Sequence, residues 1–148
     1  MSDPYVPRGL RSEVSRLARG CCEYCLSQVD FSPAPFSVDH VVSVSNGGAT
    51  ELSNLALACE GCNGHKAAKT AAFDPVTGRR VPLFHPRQQH WADHFAWSDD
   101  DTMVIGLTAV GRATVEALRL NRPHLQHLRA ALREAGFHPP PSRQEPTP

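Results

Sequence analysis

The feature that most constrains this chain is a pair of C-x-x-C motifs, Cys22/Cys25 and Cys59/Cys62, separated by residues 26–58. Each motif suits a tight knuckle whose backbone aims both sulfurs at one ion. Zinc takes four tetrahedral ligands, and four thiolates close its coordination without leaving a position for water. The expected zinc is therefore structural. It ties the segment before the first strand to the start of a helix, and so small a core needs such a staple. A redox reading needs one C-x-x-C in a thioredoxin-like setting, and the second pair makes that a minor alternative. The fifth cysteine, Cys21, is left over beside a ligand and is expected to pack as a small apolar residue.

A chain of 148 residues fits one compact domain, or one domain with a small appendage. It has no apolar run long enough to span a membrane. The first residues, "MSDPYVPRGLRSEV", lack the apolar stretch of a secretory signal, so the expected location is the cytoplasm, where thiols stay reduced. Fifteen basic and fifteen acidic residues give a formal net charge of zero. The sum neither supports nor excludes a nucleic-acid partner, because distribution matters more. Arginines gather at Arg8, Arg11, Arg16 and Arg19, at Arg79, Arg80 and Arg87, and along Arg112–Arg133, with lysines at Lys66 and Lys69. Any one of these clusters also fits a solvated mixed surface.

Leu10, Val14, Leu17 and Ala18 recur at helical spacing, which predicts a helix over 8–18 with Gly20 just past its end. The alternation over 36–44 predicts a strand, "SNGGATELSN" a loop, and "LALA" at 55–58 a second short strand. A helix is expected over 62–73. A turn at "DPVTGRR" and a short strand at "VPLF" come next, then a helical and extended stretch over 86–97 and a strand at "TMVIGL". Thr108 is placed to cap a helix to about Leu120. Asn121 and Pro123 open another, with Leu125, Leu128 and Leu132 on one face and Gly136 as its stop. The expected organisation is a flexible stretch over 1–7, a zinc-stapled core over 8–72, a hairpin and helical extension packed on it over 73–137, and a disordered tail over 138–148.

Between the knuckles stand Asp39, His40 and Asn54, and Asn63 follows the last cysteine. Each alone has a plain explanation: a strand hydrogen bond, a structural histidine, a turn asparagine. As a set they offer more. A hard divalent cation takes a few oxygen ligands and keeps most of its waters, and the Asp39 carboxylate with the Asn63 carbonyl supply two. Imidazole is the side chain suited to proton transfer near neutral pH, which fits His40 as a general base. Neighbours in a regular strand face opposite sides, so the strand must twist, bulge or end if both are to serve one site.

The order C-x-x-C, Asp-His, Gly-Gly loop, Asn, C-x-x-C-Asn, Lys resembles the HNH endonucleases. The core likeness covers about residues 8–70. The stretch from "LFHPRQQHWADHFAW" through "GLTAVGRATVEAL" is similar to the tail of a bacterial HNH subgroup and extends it to about residue 135. The resemblance implies an α+β fold: a small zinc-stapled, treble-clef-like ββα-metal core with an N-terminal helix and a C-terminal hairpin plus helices. It implies Cys22, Cys25, Cys59 and Cys62 as structural zinc ligands and His40 as the general base. Asn54 would brace the loop and so orient His40. Asp39 and Asn63 would be ligands of a catalytic cation. The third signature position is often histidine in the family; here it is Asn63, an H-N-N variant. A neutral oxygen there favours Mg2+ or Mn2+ over softer metals. His65 is the second candidate for that third role. Lys66 is either a phosphate contact or a solvated helix lysine.

The function implied is a metal-dependent endonuclease that nicks DNA with weak sequence specificity, leaving 5′-phosphate and 3′-hydroxyl ends. A homodimer is an open option. The alternatives are a zinc module that binds nucleic acid without cutting it and a zinc-stapled protein-interaction domain. Trp91, Phe95 and Trp97 with Arg87 fit either DNA stacking or, as the favoured reading, burial of a hairpin. His90 and His94 in "HWADH" resemble a metalloprotease helix only loosely, because Trp91 stands where a catalytic Glu would be.

Overall fold

A computed structural model describes residues 5–141. The chain divides into two compact units. One is the chain up to Thr70 together with His85–Gln88; the other is Ala71–Phe84 with the chain from Gln89 onward. This is a small mixed α/β fold built from short antiparallel strand pairs and helices.

In the first unit, helix α1 spans Arg8–Ala18, as its apolar spacing predicts. It ends at Arg19, which turns left-handed at φ 54°. Val14 and Ala18 are fully buried against Leu55 and Leu57, with Val6 in the same cluster. Val6 lies inside the stretch expected to be flexible; residues 1–4 lie outside the described residues. Strands β1 (Ser37–His40) and β2 (Leu55–Ala58) pair antiparallel, with Asp39 opposite Ala56 and His40 opposite Leu55. The strand expected over 36–44 thus stops at His40. Beyond Val41 the side chain of Asn54, not a backbone partner, takes both polar groups of Val42, so the ladder ends there.

Helix α2, Glu60–Lys66, begins inside the second knuckle, where the Cys59 sulfur caps it by accepting the Cys62 N–H at 3.4 Å. The helix expected to run to residue 73 stops at Lys66. Ala67 turns to φ 49°, and Ala71–Phe73 becomes strand β3, paired with β4 (Arg80–Pro82) in the second unit. Tertiary pairing overrides the helical preference of an alanine-rich stretch.

The second unit continues with α3 (Trp91–His94), β5 (Phe95–Trp97), β6 (Val104–Gly106), α4 (Ala109–Leu118) and α5 (Pro123–Glu134). β5 and β6 form the predicted hairpin. Thr108 caps α4 as expected, its hydroxyl accepting the Gly111 N–H at 3.0 Å. The core holds Phe84, Phe95, Val104, Ala113, Leu118, Leu120 and Leu125. Trp91 packs on Phe95 and Trp97; Phe95 is buried and both tryptophans are half-buried, so the cluster packs against this unit's core. Arg129 is buried over the Trp97 ring and donates to the carbonyls of Thr102 and Leu120. His138, at the start of the stretch expected to be disordered, is buried edge-on to Trp97; residues 142–148 lie outside the described residues. Among the described residues no helix is long and apolar enough to cross a membrane.

Candidate active site and metal centre

The four sulfurs of Cys22, Cys25, Cys59 and Cys62 converge, all within 4.8 Å of one another and all buried. Cys25 and Cys59 Sγ stand 3.7 Å apart. A zinc tetrahedron with bonds of about 2.3 Å separates its sulfurs by about 3.8 Å. The donor set therefore fits zinc in number, chemistry and spacing. Burial pushes the Cys22 thiol up, while hydrogen bonds from Cys22, Cys59 and Cys62 hold Cys25 well below the usual thiol range. Protons here do what a dication does better, since metal binding displaces thiol protons.

Glu23 bolts this knuckle to β2. Its N–H donates to the Leu57 carbonyl at 2.8 Å, and its Oε2 accepts the Leu57 N–H at 2.8 Å. Its carboxylate also pairs with Arg87. That double clasp holds the first knuckle two residues from Cys59.

His40 closes β1 and is buried. Its Nε2 lies 2.8 Å from the Thr50 hydroxyl, across the loop. That loop is pinned by buried Asn54, whose Nδ2 donates to the carbonyls of Val42 and Ala49, each at 2.9 Å. Gly48 is required there: a Cβ would collide with the Val42 carbonyl.

Asp39 is also buried, and its Oδ2 receives two donors. Tyr24 OH stands at 3.0 Å and Lys66 Nζ at 3.2 Å. Burial pushes the Asp39 carboxyl up, and the Lys66 charge opposes that push. Lys66 Nζ also donates to the His40 carbonyl at 3.3 Å. At 1 % exposure Lys66 is not a solvated helix lysine. It joins α2 to the end of β1. Asn63 lies one turn earlier on α2, half-buried, and its side chain makes no hydrogen bond among the described residues. His65 is half-buried, and its carbonyl accepts Lys69 Nζ at 2.9 Å.

The structure thus brings together Asp39, the His40 backbone and Lys66, and it ties His40 and Asn54 to one loop. No hydrogen bond joins Asn63 to Asp39 or His40 among the described residues. Sequence reasoning missed Tyr24, Glu23 and Thr50. For Glu23 and Tyr24 the available signal was a charged and a phenolic residue inside a metal knuckle; Thr50, in the loop after β1, carried none.

Residues 22–69 match the family model for the HNH endonuclease. That stretch, about a third of the chain, is similar to the HNH endonucleases. The HNH segment opens on the first zinc knuckle and closes three residues after Lys66. It holds β1, the Asn54 loop, β2 and α2, so the zinc-stapled ββα unit and the match coincide. No curated protein matches the chain.

Proposed function

We propose that this protein is a metal-dependent endonuclease that nicks DNA with weak sequence specificity. The observation that carries the reading is the meeting of Asp39, the His40 end of β1 and helix α2 at Lys66, within a segment matched to HNH endonucleases. That meeting supports a shared site for a carboxylate, an imidazole and the helix that bears Asn63.

In this reading Asp39 and Asn63 hold one Mg2+ or Mn2+, which when bound supplies Lewis-acid stabilisation to the charge that develops on the phosphate. His40 acts as the general base. If Nε2 donates to Thr50, Nδ1 carries the lone pair that takes a proton from water. The hydroxide so formed attacks phosphorus in line, the bond to the 3′ oxygen breaks, and that oxygen leaves with a proton from solvent. Asn54 keeps the loop, and so Thr50 and the ring, in register. The four-cysteine zinc takes no part in these steps. The described residues offer one such site, so cutting both strands takes two nicks or a homodimer. A cytoplasmic setting fits the reduced thiols this site needs.

A second reading is favoured by the Lys66–Asp39 pair. The carboxylate already has a cationic partner, which suits a zinc module that binds nucleic acid without cutting. Relaxation of supercoiled plasmid separates the two. The full chain with magnesium or manganese is expected to nick, and His40→Ala to lose nicking while still binding. Binding with no nicking by either protein would assign the non-catalytic module.

A further inference from the structure

We infer that the β3–β4 hairpin is a nucleic-acid contact surface, with Phe73 as the platform for a base and Arg79 and Arg80 as phosphate ligands. The choice of partner rests on the nuclease reading.

The hairpin has two unlike faces. Phe73 stands directly opposite Arg80, and Ala71 opposite Pro82, so these four share one face. The other face carries Ala72 opposite Val81, both half-buried. On the first face Phe73 is 65 % exposed, and Arg80 and Pro82 are exposed as well. At the turn Val76 is 72 % exposed, next to exposed Arg79.

The turn behind this face is rigid. Asp74 is fully buried, and its Oδ1 accepts the Val76 N–H at 3.1 Å and Arg112 Nε at 2.9 Å. Its Oδ2 accepts the Thr77 hydroxyl and Arg112 Nη2, each at 2.8 Å. Asp74 is also the only acid between residues 71 and 82, and Arg112 already takes its charge. The charge exposed on this hairpin is therefore purely basic, beside an aromatic ring. Neither Arg79 nor Arg80 has an acidic side-chain partner among the described residues. Phosphates complement the two guanidinium groups, and the ring face suits a stacked base. An acidic protein surface would satisfy the arginines but leave the ring without its preferred partner.

The test is fluorescence anisotropy of labelled single-stranded and duplex oligonucleotides with the zinc-loaded full chain, without added magnesium or manganese, over a salt series. Phe73→Ala is expected to weaken single-strand binding at least about five-fold at every salt, with Phe73→Trp restoring it. Arg79→Gln with Arg80→Gln is expected to weaken both probes and to make the slope of log K against log salt shallower by about 1.4–1.8. These side chains are exposed, so the variants should melt with the parent. Binding by the parent that the variants leave unchanged overturns the inference alone. Unchanged binding with an altered oligomeric state overturns it too, and assigns the face to a second copy. No binding by the parent removes the nuclease reading and this inference together.

Discussion

Asn54 clasps Val42 with both ends of its amide: Oδ1 accepts the Val42 N–H at 2.9 Å and Nδ2 donates to the Val42 carbonyl at 2.9 Å. A side chain thus imitates a strand at the point where the ladder of β1 and β2 stops. The same Nδ2 reaches the Ala49 carbonyl, so one residue sets both ends of the loop that carries Thr50. Asn54→Ala would leave three backbone groups without partners. The expected loss is about 2–4 kcal/mol, read from urea melts of the zinc-loaded chain. Asn54→Asp should recover only the bond from Val42 N–H. Gly48→Ala should damage the same loop, because the added methyl meets the Val42 carbonyl and Asn54 Nδ2.

The pair Lys66–Asp39 makes a second prediction. Both residues are buried, so removing one leaves an uncompensated charge. Lys66→Met or Asp39→Leu alone should cost about 3–5 kcal/mol. The double variant should recover most of that loss, since a well-packed apolar pair often replaces a buried ion pair at little cost. A double-mutant cycle on thermal melts checks it. Additive losses would mean that the two charges do not depend on each other.

Zinc should be indispensable to the first unit. Apparent zinc binding of about 10–16 kcal/mol matches or exceeds the stability of a typical domain, about 5–15 kcal/mol. Metal analysis is expected to find about one zinc per chain. A chelator, or Cys25→Ser or Cys59→Ser, should abolish the ordered signal of residues in the HNH segment in NMR spectra. Full retention of those signals in the metal-free chain would mean that the apolar cluster around Val14 and Leu55 suffices.

How much of this was legible in the sequence depended on range. Helix α1 could be read because Leu10, Val14 and Ala18 repeat within the element itself. The knuckles could be read because cysteine spacing carries its chemistry openly. The end of α2 could not. "KAAKTAA" favours helix locally, whereas Ala71–Phe73 is a strand because Arg80–Pro82 pairs with it beyond a turn pinned by Arg112, 38 residues from Asp74. Lys66 shows the same limit. On a helical wheel it is an ordinary surface lysine, and its burial follows from Asp39 and the His40 carbonyl, the latter 26 residues away. Tyr24 and Glu23 find their partners 15 and 34 residues away, so motif reading passes over them.

The second unit should be acid-labile through Asp74. The Arg112 guanidinium beside it, helped by the Val76 N–H and the Thr77 hydroxyl, holds its carboxyl well below the usual carboxylate range. A depressed folded value means that the unfolded chain takes up the proton first. The contribution is therefore fully present above about pH 4 and is lost as pH falls below it. Asp74→Asn should destabilise the protein at pH 7, and its deficit should shrink as urea melts are repeated toward pH 3. A deficit independent of pH would assign Asp74 a purely geometric role in the hairpin turn.

Under the proposed mechanism, Thr50 should govern which nitrogen of His40 is left for proton transfer. Its hydroxyl is 2.8 Å from Nε2, and the loop that carries it is fixed by Asn54. A ring held this way has one nitrogen committed to the threonine and the other left for proton transfer. Thr50→Val keeps the shape and removes the hydrogen bond. If the proposed nicking reaction uses His40 as its base, kcat in a plasmid-nicking assay should fall about 10- to 100-fold with KM nearly unchanged, because the ring is misoriented while the substrate surface is intact. Thr50→Ser should restore the rate. A valine variant that keeps the parent's rate would show that the loop backbone alone orients His40.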